Sequence, residues 1–414
     1  MSPGWLFARV AAPFLAGYFV SYVYRMVNAV LAPTLAAEFG LSAGGLGLLS
    51  SVYFLSFGLF QLPLGLLLDR FGPRRVNATL LLVAAAGGAW FALAGSAPSA
   101  IAARALIGIG VSGCLMASFT AFVLWYPPDR ISTMNGLAFS AGMLGAMAAT
   151  VPLELLLRVW HWREAFFLIA GTTVAVSAVF WLWVPDPRSA RPRGETLAEQ
   201  WRGLREVIAD PGFLRLAVCL GATQFAAVAL QTLWIATWLR DVAGYDRAGV
   251  GQALLVVNLA LIAGFLAFGR LADARTRRGA SALPVVAGGV ALAAACLGLL
   301  AAGVTTGALV LWGAFVFFGT AATLGYSIVS RRFPKELAGR VNTTLNTFIF
   351  TGMFLAQWLV GLVLEGWPRS NGGYPREAYS WALGMLCAAQ LAGLAWFWSG
   401  RRLLDEKKPA PYWR

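Results

Sequence analysis

Residues 65–75, Gly-Leu-Leu-Leu-Asp-Arg-Phe-Gly-Pro-Arg-Arg, decide how this chain folds. The stretch closes one apolar segment, residues 45–68, and opens another, residues 76–95. Each segment is long enough for a helix that crosses a bilayer, and the short turn between them makes the two helices antiparallel neighbours. Because short arginine-rich loops stay on the inner side of a membrane, we expect this turn to face the cytoplasm.

A weaker copy of the same stretch occurs in the second half of the chain, at residues 269–278. Asp273 corresponds to Asp69, but Ala274 stands where the first copy has Arg70. Parallel repeats of this kind are known from membrane transporters. The sequence therefore predicts two related, membrane-embedded halves.

The composition is that of a membrane protein. Hydrophobic residues make up 59% of the chain and charged residues only 12%, whereas an ordinary soluble domain has about 25% charged residues. The net charge of +14 does not indicate a nucleic-acid partner, because the basic residues form short clusters between apolar runs. Such clusters contact anionic lipid headgroups and set the orientation of a protein in the membrane.

We predict an all-α membrane protein with twelve spanning helices. Six are in the first half, at residues 10–32, 45–68, 76–95, 99–125, 133–157 and 164–184. Six are in the second half, at residues 213–239, 248–271, 282–302, 307–330, 340–364 and 379–400. The predicted domains are an N-terminal six-helix bundle, a cytoplasmic linker, a C-terminal six-helix bundle and a cytoplasmic tail, at residues 1–184, 185–212, 213–400 and 401–414.

The basic residues are distributed unequally between the two sides of the membrane that this count defines. Twenty-four lysines and arginines fall on the side of the 65–75 turn, and six arginines fall on the other side. The positive-inside rule then places both termini in the cytoplasm. We expect a multi-pass protein of the bacterial inner membrane that is a monomer in the lipid bilayer.

The pattern Gly65-x-x-x-Asp69-Arg70-x-Gly72-x-Arg74-Arg75 matches in full the loop motif of the major facilitator superfamily, which this chain resembles. A second motif of that family is similar to Arg104-x-x-x-Gly108-x-Gly110 at the start of the fourth span. The resemblance implies two bundles that rock about a central binding site by alternating access. It implies a transporter and not an enzyme, and we expect no cofactor and no metal site.

The resemblance also gives the loop motif a role as a conformational latch. In the family, the aspartate that corresponds to Asp69 caps the eleventh helix while the cytoplasmic side is closed, and a carboxylate at a helix N-terminus is stabilising. Asp129 is the expected partner of Arg70 or Arg74. The alternative is that these charges only set topology. The predicted latch residues are Gly65, Asp69, Arg70, Gly72, Arg74, Arg75, Asp129 and Asp273.

Two arginines lie inside predicted spans, Arg25 in the first and Arg104 in the fourth. At a rise of about 1.5 Å per residue, both are roughly 8–10 Å from the outer surface. A charge at this depth is retained when it faces a cavity or a partner, and no span has a central acidic residue to supply that partner. We therefore expect both arginines to bind an anionic substrate. The alternative for Arg104 is a hydrogen bond to backbone that holds helices together.

Aromatic and amide side chains on the first, seventh, tenth and eleventh spans complete the predicted site. Tyr22 is three residues from Arg25 on the same helix, so the two side chains share a face. Any one of these side chains has packing as its alternative role. The predicted substrate-binding set is Arg25, Tyr22, Arg104, Asn28, Gln231, Trp234, Tyr326 and Asn346.

The sequence thus predicts a secondary transporter that takes up a small organic anion of the carboxylate type. Protons are the expected coupling ion, through Glu154 or through the substrate itself, with exchange and facilitated diffusion as alternatives. Other cargo on the same fold is the main alternative: drug or metabolite efflux, or copper import through Met143 and Met147, which are one helical turn apart. A non-transporting membrane sensor or enzyme is the remaining possibility.

Overall fold

A computed structural model describes residues 3–186, 202, 205–330, 333, 338–369 and 373–400 of the chain. The predicted tail, 401–414, and most of the predicted linker lie outside these residues. The described part is helical throughout. Its helices are long and apolar because the sequence offers runs of about 20 apolar residues, which satisfy their backbone polar groups internally as the bilayer requires.

The first half of the chain forms eight helices, with a π-helical turn at Phe7–Ala11 between the first two. They are α1 Pro3–Leu6, α2 Ala12–Glu38, α3 Ala43–Leu93, α4 Ala97–Val111, α5 Cys114–Trp125, α6 Pro128–Ala148, α7 Val151–Leu156 and α8 Trp162–Trp183. The predicted spans 99–125 and 133–157 are therefore each broken once, after Val111 and after Ala148.

The described residues of the second half form eight helices from Pro211 onward, with a π-helical segment at Leu230–Trp234 and a 3-10 segment at Thr320–Leu324. They are α9 Pro211–Ala229, α10 Ile235–Asp241, α11 Arg247–Arg277, α12 Leu283–Ala301, α13 Ala308–Gly319, α14 Gly325–Ser330, α15 Ala338–Glu365 and α16 Arg376–Ser399. Ten helices of the described residues are long and apolar enough to cross a membrane, and Ala308–Leu324 is a shorter apolar helix.

Helix α3 contains the 65–75 stretch. It has 51 residues, far more than the roughly 20 that one crossing needs. Gly72 interrupts it with non-helical φ and ψ angles of 76° and 163°. Glycine adopts a positive φ at low cost, and Pro73 can start the following helical turn, so the chain bends sharply at the predicted place.

The two halves meet along α3 and α15, which run antiparallel to each other. Near the start of α3, Gly44 contacts Glu365 at the end of α15, and further along α3, Gly58 contacts Thr347. The end of the molecule that holds the 69–75 turn is called the arginine-loop end below. The end that holds the start of α3 is called the clamp end.

Candidate functional site

A cavity of about 1350 Å³ lies between the two halves. Its wall includes Arg25 and Phe57 in its deeper part and reaches Gly65, Asp69 and Asn342 at the arginine-loop end. The wall is mostly apolar and aromatic. Arg25 and Asp69 are the charged members among the described residues that line it.

Arg25 is held in the cavity wall by aromatic rings. The Cζ atom of its guanidinium is 4.6 Å from the ring centre of Tyr22, 5.5 Å from that of Phe57 and 5.6 Å from that of Phe350. Its Nε atom is buried and has no hydrogen-bond partner, and no ion pair of Arg25 occurs among the described residues. Cation–π contacts stabilise the charge without neutralising it. The side chain thus offers an uncompensated positive charge to the cavity.

Two of these rings also join the halves, a feature that the sequence did not reveal. Phe57 on α3 and Phe350 on α15 are stacked with ring centres 4.2 Å apart and planes tilted by 24°. Gly58 permits this approach, because a Cβ atom there would be 2.7 Å from Cβ of Phe350. The stacked pair lies in the cavity wall directly beside Arg25.

Polar side chains on the second half line the opposite wall. Tyr326 donates a hydrogen bond of 2.7 Å from its hydroxyl to Oδ1 of Asn346, and Gln231 donates one of 2.8 Å to Oδ1 of Asn258. Tyr22, Tyr326, Asn346 and Gln231 therefore lie around the cavity with Arg25, as predicted. Other polar cavity residues were not among the predicted site residues: Gln61, Ser112, Thr120, Asn135, Ser140, Gln224, Thr232, Thr320, Thr323, Asn342, Thr343 and Thr344.

Three predicted substrate ligands do not line the cavity. Arg104 is 1% exposed inside the first half and donates from Nη1 to the Tyr24 carbonyl at 2.7 Å, so its alternative role is the one observed. Asn28 is equally buried and donates to Oγ of Ser50 at 3.1 Å. Trp234 is buried and donates from its indole nitrogen to the Gln357 carbonyl at 2.9 Å. These three side chains therefore contact other groups of the protein and not the cavity.

Two arginines of the predicted latch, Arg74 and Arg75, bind helix α8 and the residue Asp186 that follows it. Arg74 donates from Nε to the Phe180 carbonyl at 3.1 Å, and its Nη1 is 3.2 Å from Asp186. Arg75 donates to the same carboxylate at 3.0 Å. Arg74 and Arg75 thus share Asp186, which was not among the predicted latch residues. The side chain of Asp129 lies outside the described residues, so its expected pairing with Arg70 or Arg74 stays a prediction.

The other predicted latch residues occupy the arginine-loop end. Gly65 and Asp69 line the mouth of the cavity there. The Cζ atom of Arg70 lies 5.3 Å from the ring centre of Phe71, and Asp273 is an exposed residue of α11. Their role as a latch stays a prediction.

At the clamp end, hydrogen bonds join the two halves directly. The backbone nitrogen of Gly44 donates to Oε1 of Glu365 at 2.9 Å, and that of Ala43 donates to the Tyr374 hydroxyl at 3.3 Å. Arg369 donates from Nη2 to the Leu41 carbonyl at 2.8 Å and from Nε to the Tyr374 hydroxyl at 3.1 Å. We call this set the clamp: Leu41, Ala43, Gly44, Glu365, Arg369 and Tyr374.

An ion pair between the halves lies at the same end. Nε of Arg247, the first residue of α11, is 2.6 Å from Oε2 of Glu154 on α7. Glu154 was considered in the sequence as a proton-coupling group. Its side chain is only 5% exposed and is held by this pair and, at 4.0 Å, by Arg158.

The methionine pair considered for copper does not face the cavity together. Met143 lines it, and Met147 does not. The described residues contain no group of three or more histidine, cysteine, aspartate or glutamate side chains that could hold a metal ion.

Comparisons with known proteins agree with this architecture. The model of a family described as Major Facilitator Superfamily matches residues 14–357. A probable sulfoacetate transporter, SauU of Cupriavidus necator, is 24% identical over 86% of this chain and 86% of its own. A probable galactarate/D-glucarate transporter, GarP of Escherichia coli, is 23% identical over 90% of this chain and 92% of its own. The crystal structure of a bacterial homologue of the human lysosomal transporter Spinster, 18% identical, superposes with a TM-score of 0.81 and covers 100% of both chains.

Proposed function

Because this chain belongs to the major facilitator superfamily, we propose that it is a secondary transporter that takes up a small organic anion by alternating access. Arg25 carries this proposal. Its guanidinium lies in the cavity wall, has no acidic partner among the described residues and keeps a buried nitrogen without a hydrogen bond. The carboxylate or sulfonate of a substrate is the simplest partner for such a charge.

The relatives support the same substrate class. Sulfoacetate, galactarate and glucarate, which the names of two relatives carry, are small acids with more than one charged or polar group. Arg25 would bind one acidic group, and the amides and hydroxyls of Gln231, Tyr326 and Asn346 would bind the remainder from the other half. A substrate that touches both halves stabilises the arrangement in which they close around it.

The topology that we propose has twelve spans. The ten long apolar helices become eleven when α3 crosses twice with its bend at Gly72, and Ala308–Leu324 is the twelfth. With the arginine-loop end in the bacterial cytoplasm, both termini are also there, and the two halves correspond to residues 1–184 and 213–400. The cavity then faces inward, and Asp69 would cap α15 when that side closes. We propose protons as the coupling ion.

Uptake by purified protein in proteoliposomes tests the proposal. Wild-type protein should accumulate at least one of sulfoacetate, glucarate and galactarate, and should not transport xylose as a neutral control. Arg25→Gln removes the charge but keeps a polar side chain, and we expect uptake to fall at least tenfold because a charge-assisted hydrogen bond is worth about 1.5–3 kcal/mol. Arg25→Lys should retain part of it, since the charge remains but the bidentate fork is lost.

Arg9→Gln is the matched control. Arg9 lies near the start of the same span, stacked against Trp183 at 5.0 Å, and does not line the cavity. Its substitution should leave uptake within twofold of the wild type. Undiminished acid uptake by Arg25→Gln would remove the anionic pocket from the proposal.

A second candidate is efflux of a larger aromatic compound. The volume of about 1350 Å³ exceeds what a small acid needs, and the wall contains Phe119, Phe139 and Phe265 besides the rings around Arg25. Extrusion of a fluorescent aromatic cation by cells that express the protein, unaffected by Arg25→Gln, would favour this function over acid uptake.

A further inference from the structure

A second cavity, of about 190 Å³, lies at the clamp end between α2 and the helices α10 and α11. It is called the clamp-end crevice below. Arg240 and Arg247 both line it, together with the hydroxyl-bearing Thr34 and Thr237. No acidic side chain is part of its wall among the described residues. Two guanidiniums and two hydroxyls around a small space form the chemistry of an anion site.

The Nη atoms of both guanidiniums remain available to a ligand. Arg240 and Arg247 use Nε for their ion pairs, with Asp241 at 2.7 Å and with Glu154 at 2.6 Å. Their Nη atoms make no further hydrogen bond within the described part of the chain, and the two side chains are 37% and 51% exposed. Nearby Asp246 is engaged elsewhere, because it caps α11 by accepting from the Gly249 nitrogen at 2.8 Å.

Each carboxylate that pairs with one of these arginines keeps another partner when the arginine leaves. Asp241 keeps two other donors, the Tyr379 hydroxyl at 2.8 Å and the Tyr374 nitrogen at 3.1 Å. Glu154 keeps Arg158, which lies on its own half of the molecule. Neither carboxylate would be left buried without a partner, which is the situation that makes breaking a buried pair costly.

We propose that the clamp-end crevice binds a small carboxylate or sulfonate, which replaces Glu154 as the ion-pair partner of Arg247. The anion bridges Arg240 and Arg247 on the second half, Glu154 turns to Arg158 on the first half, and one ion pair between the halves is released. Arrival of an anion at the closed end of the carrier thereby loosens that end. The site is separate from the Arg25 cavity and does not depend on what that cavity transports.

Binding of radiolabelled sulfate, used as the probe, tests this site directly. The protein is the full chain carrying Arg25→Gln, so that the central cavity does not contribute, in nanodiscs of phosphatidylcholine. We expect saturable binding. Adding Arg247→Gln should weaken it about tenfold and Arg240→Gln about threefold, because hydrogen bonds to charged groups are the strong ones. Failure of acid uptake would leave this measurement unaffected, so the two proposals can fail separately.

The two partners of the ion pair should have opposite effects. Glu154→Gln removes the competitor of the anion and should tighten sulfate binding about threefold, whereas Arg247→Gln weakens it. If the pair were only structural, the two substitutions would change binding in the same direction or not at all, and the exchange would be refuted. Arg376→Gln is the control, since this arginine of the same end does not line the crevice.

A lipid phosphate is the other source of the same chemistry. Nanodiscs that contain phosphatidylglycerol distinguish it. Retained sulfate binding in these discs supports the small-anion site. Sulfate binding that is lost there would assign the crevice to a lipid headgroup and overturn the proposal, as would absence of saturable binding in phosphatidylcholine.

Discussion

The two ends of this transporter use their arginines in different ways. At the arginine-loop end, Arg74 and Arg75 bind Asp186, which directly follows the first half, and Arg74 also donates to backbone carbonyls of α8. At the clamp end, Arg247 and Arg369 bind Glu154 and the Leu41 carbonyl across the boundary between the halves. The cavity reaches the first end, and the Phe57–Phe350 stack lies in its wall beside Arg25. Among the described contacts, those of Arg247 and Arg369 therefore cross the boundary between the halves, whereas those of Arg74 and Arg75 do not.

The largest effect on this difference between the two ends is expected from a substitution that forces the clamp end apart. Gly361 on α15 lies against the start of α3, and a Cβ atom there would be 2.9 Å from the Cα atom of Gly44. Gly361→Val should open the clamp end, because overpacking costs about 1–3 kcal/mol. We expect uptake below a tenth of wild type. Spin labels at Val159→Cys and Val304→Cys, on opposite halves, should show a longer distance by double electron–electron resonance.

Gly288→Val is the control for this substitution, since nothing lies within 4 Å of the position where its Cβ would be. It should leave both uptake and the label distance as in the wild type. An unchanged distance in Gly361→Val would mean that the contact between α3 and α15 does not keep the clamp end closed.

A smaller effect is expected when only the Tyr374 hydroxyl is removed from the clamp. The Tyr374 hydroxyl accepts hydrogen bonds from the Ala43 nitrogen and from Nε of Arg369. Tyr374→Phe should favour the open clamp end about fivefold, because a net hydrogen bond is worth about 1 kcal/mol. The same pair of labels would report this as a growing long-distance population. Tyr245→Phe, a tyrosine of the same end outside the clamp, should not change the distribution, and equal effects of the two would argue against the clamp.

The smallest effect is expected at the arginine-loop end. Arg74→Gln loses contacts with Phe180, Trp181 and Asp186, none of which belongs to the second half. It should lower the thermal midpoint by about 2 °C, as losing roughly 1 kcal/mol does in a large domain. The label distance at the clamp end should stay the same. A change in that distance would show that Arg74 acts between the halves after all.

Much of the fold was predictable because the bilayer restricts what a chain can do. The 65–75 stretch gave the sharp turn, and the bend at Gly72 lies within it. Depth along a helix follows from counting residues, so Arg25, Tyr22 and Tyr326 were correctly expected near one another. The family resemblance came from the same motif, and the match over residues 14–357 confirms it.

The rest of the site depends on rotation about the helix axis, which the sequence did not encode clearly. A helix that is apolar on all sides has no periodicity to show which side faces the cavity. Asn28 and Trp234 were therefore expected to face the cavity, whereas they bind Ser50 and the Gln357 carbonyl. The Phe57–Phe350 stack and the Glu154–Arg247 pair join helices from different halves. A local sequence pattern within one half therefore does not predict them.

A hydrogen bond connects Arg104 to the backbone next to Arg25. Its guanidinium donates to the carbonyl of Tyr24, the residue directly before Arg25. We expect this hydrogen bond to restrain the rotation of α2 about its axis, and therefore the direction of the Arg25 side chain. A loss of substrate affinity on replacing Arg104 would then come from a displaced Arg25, and Arg104→Lys, which keeps a donor, should restore affinity without contacting the substrate.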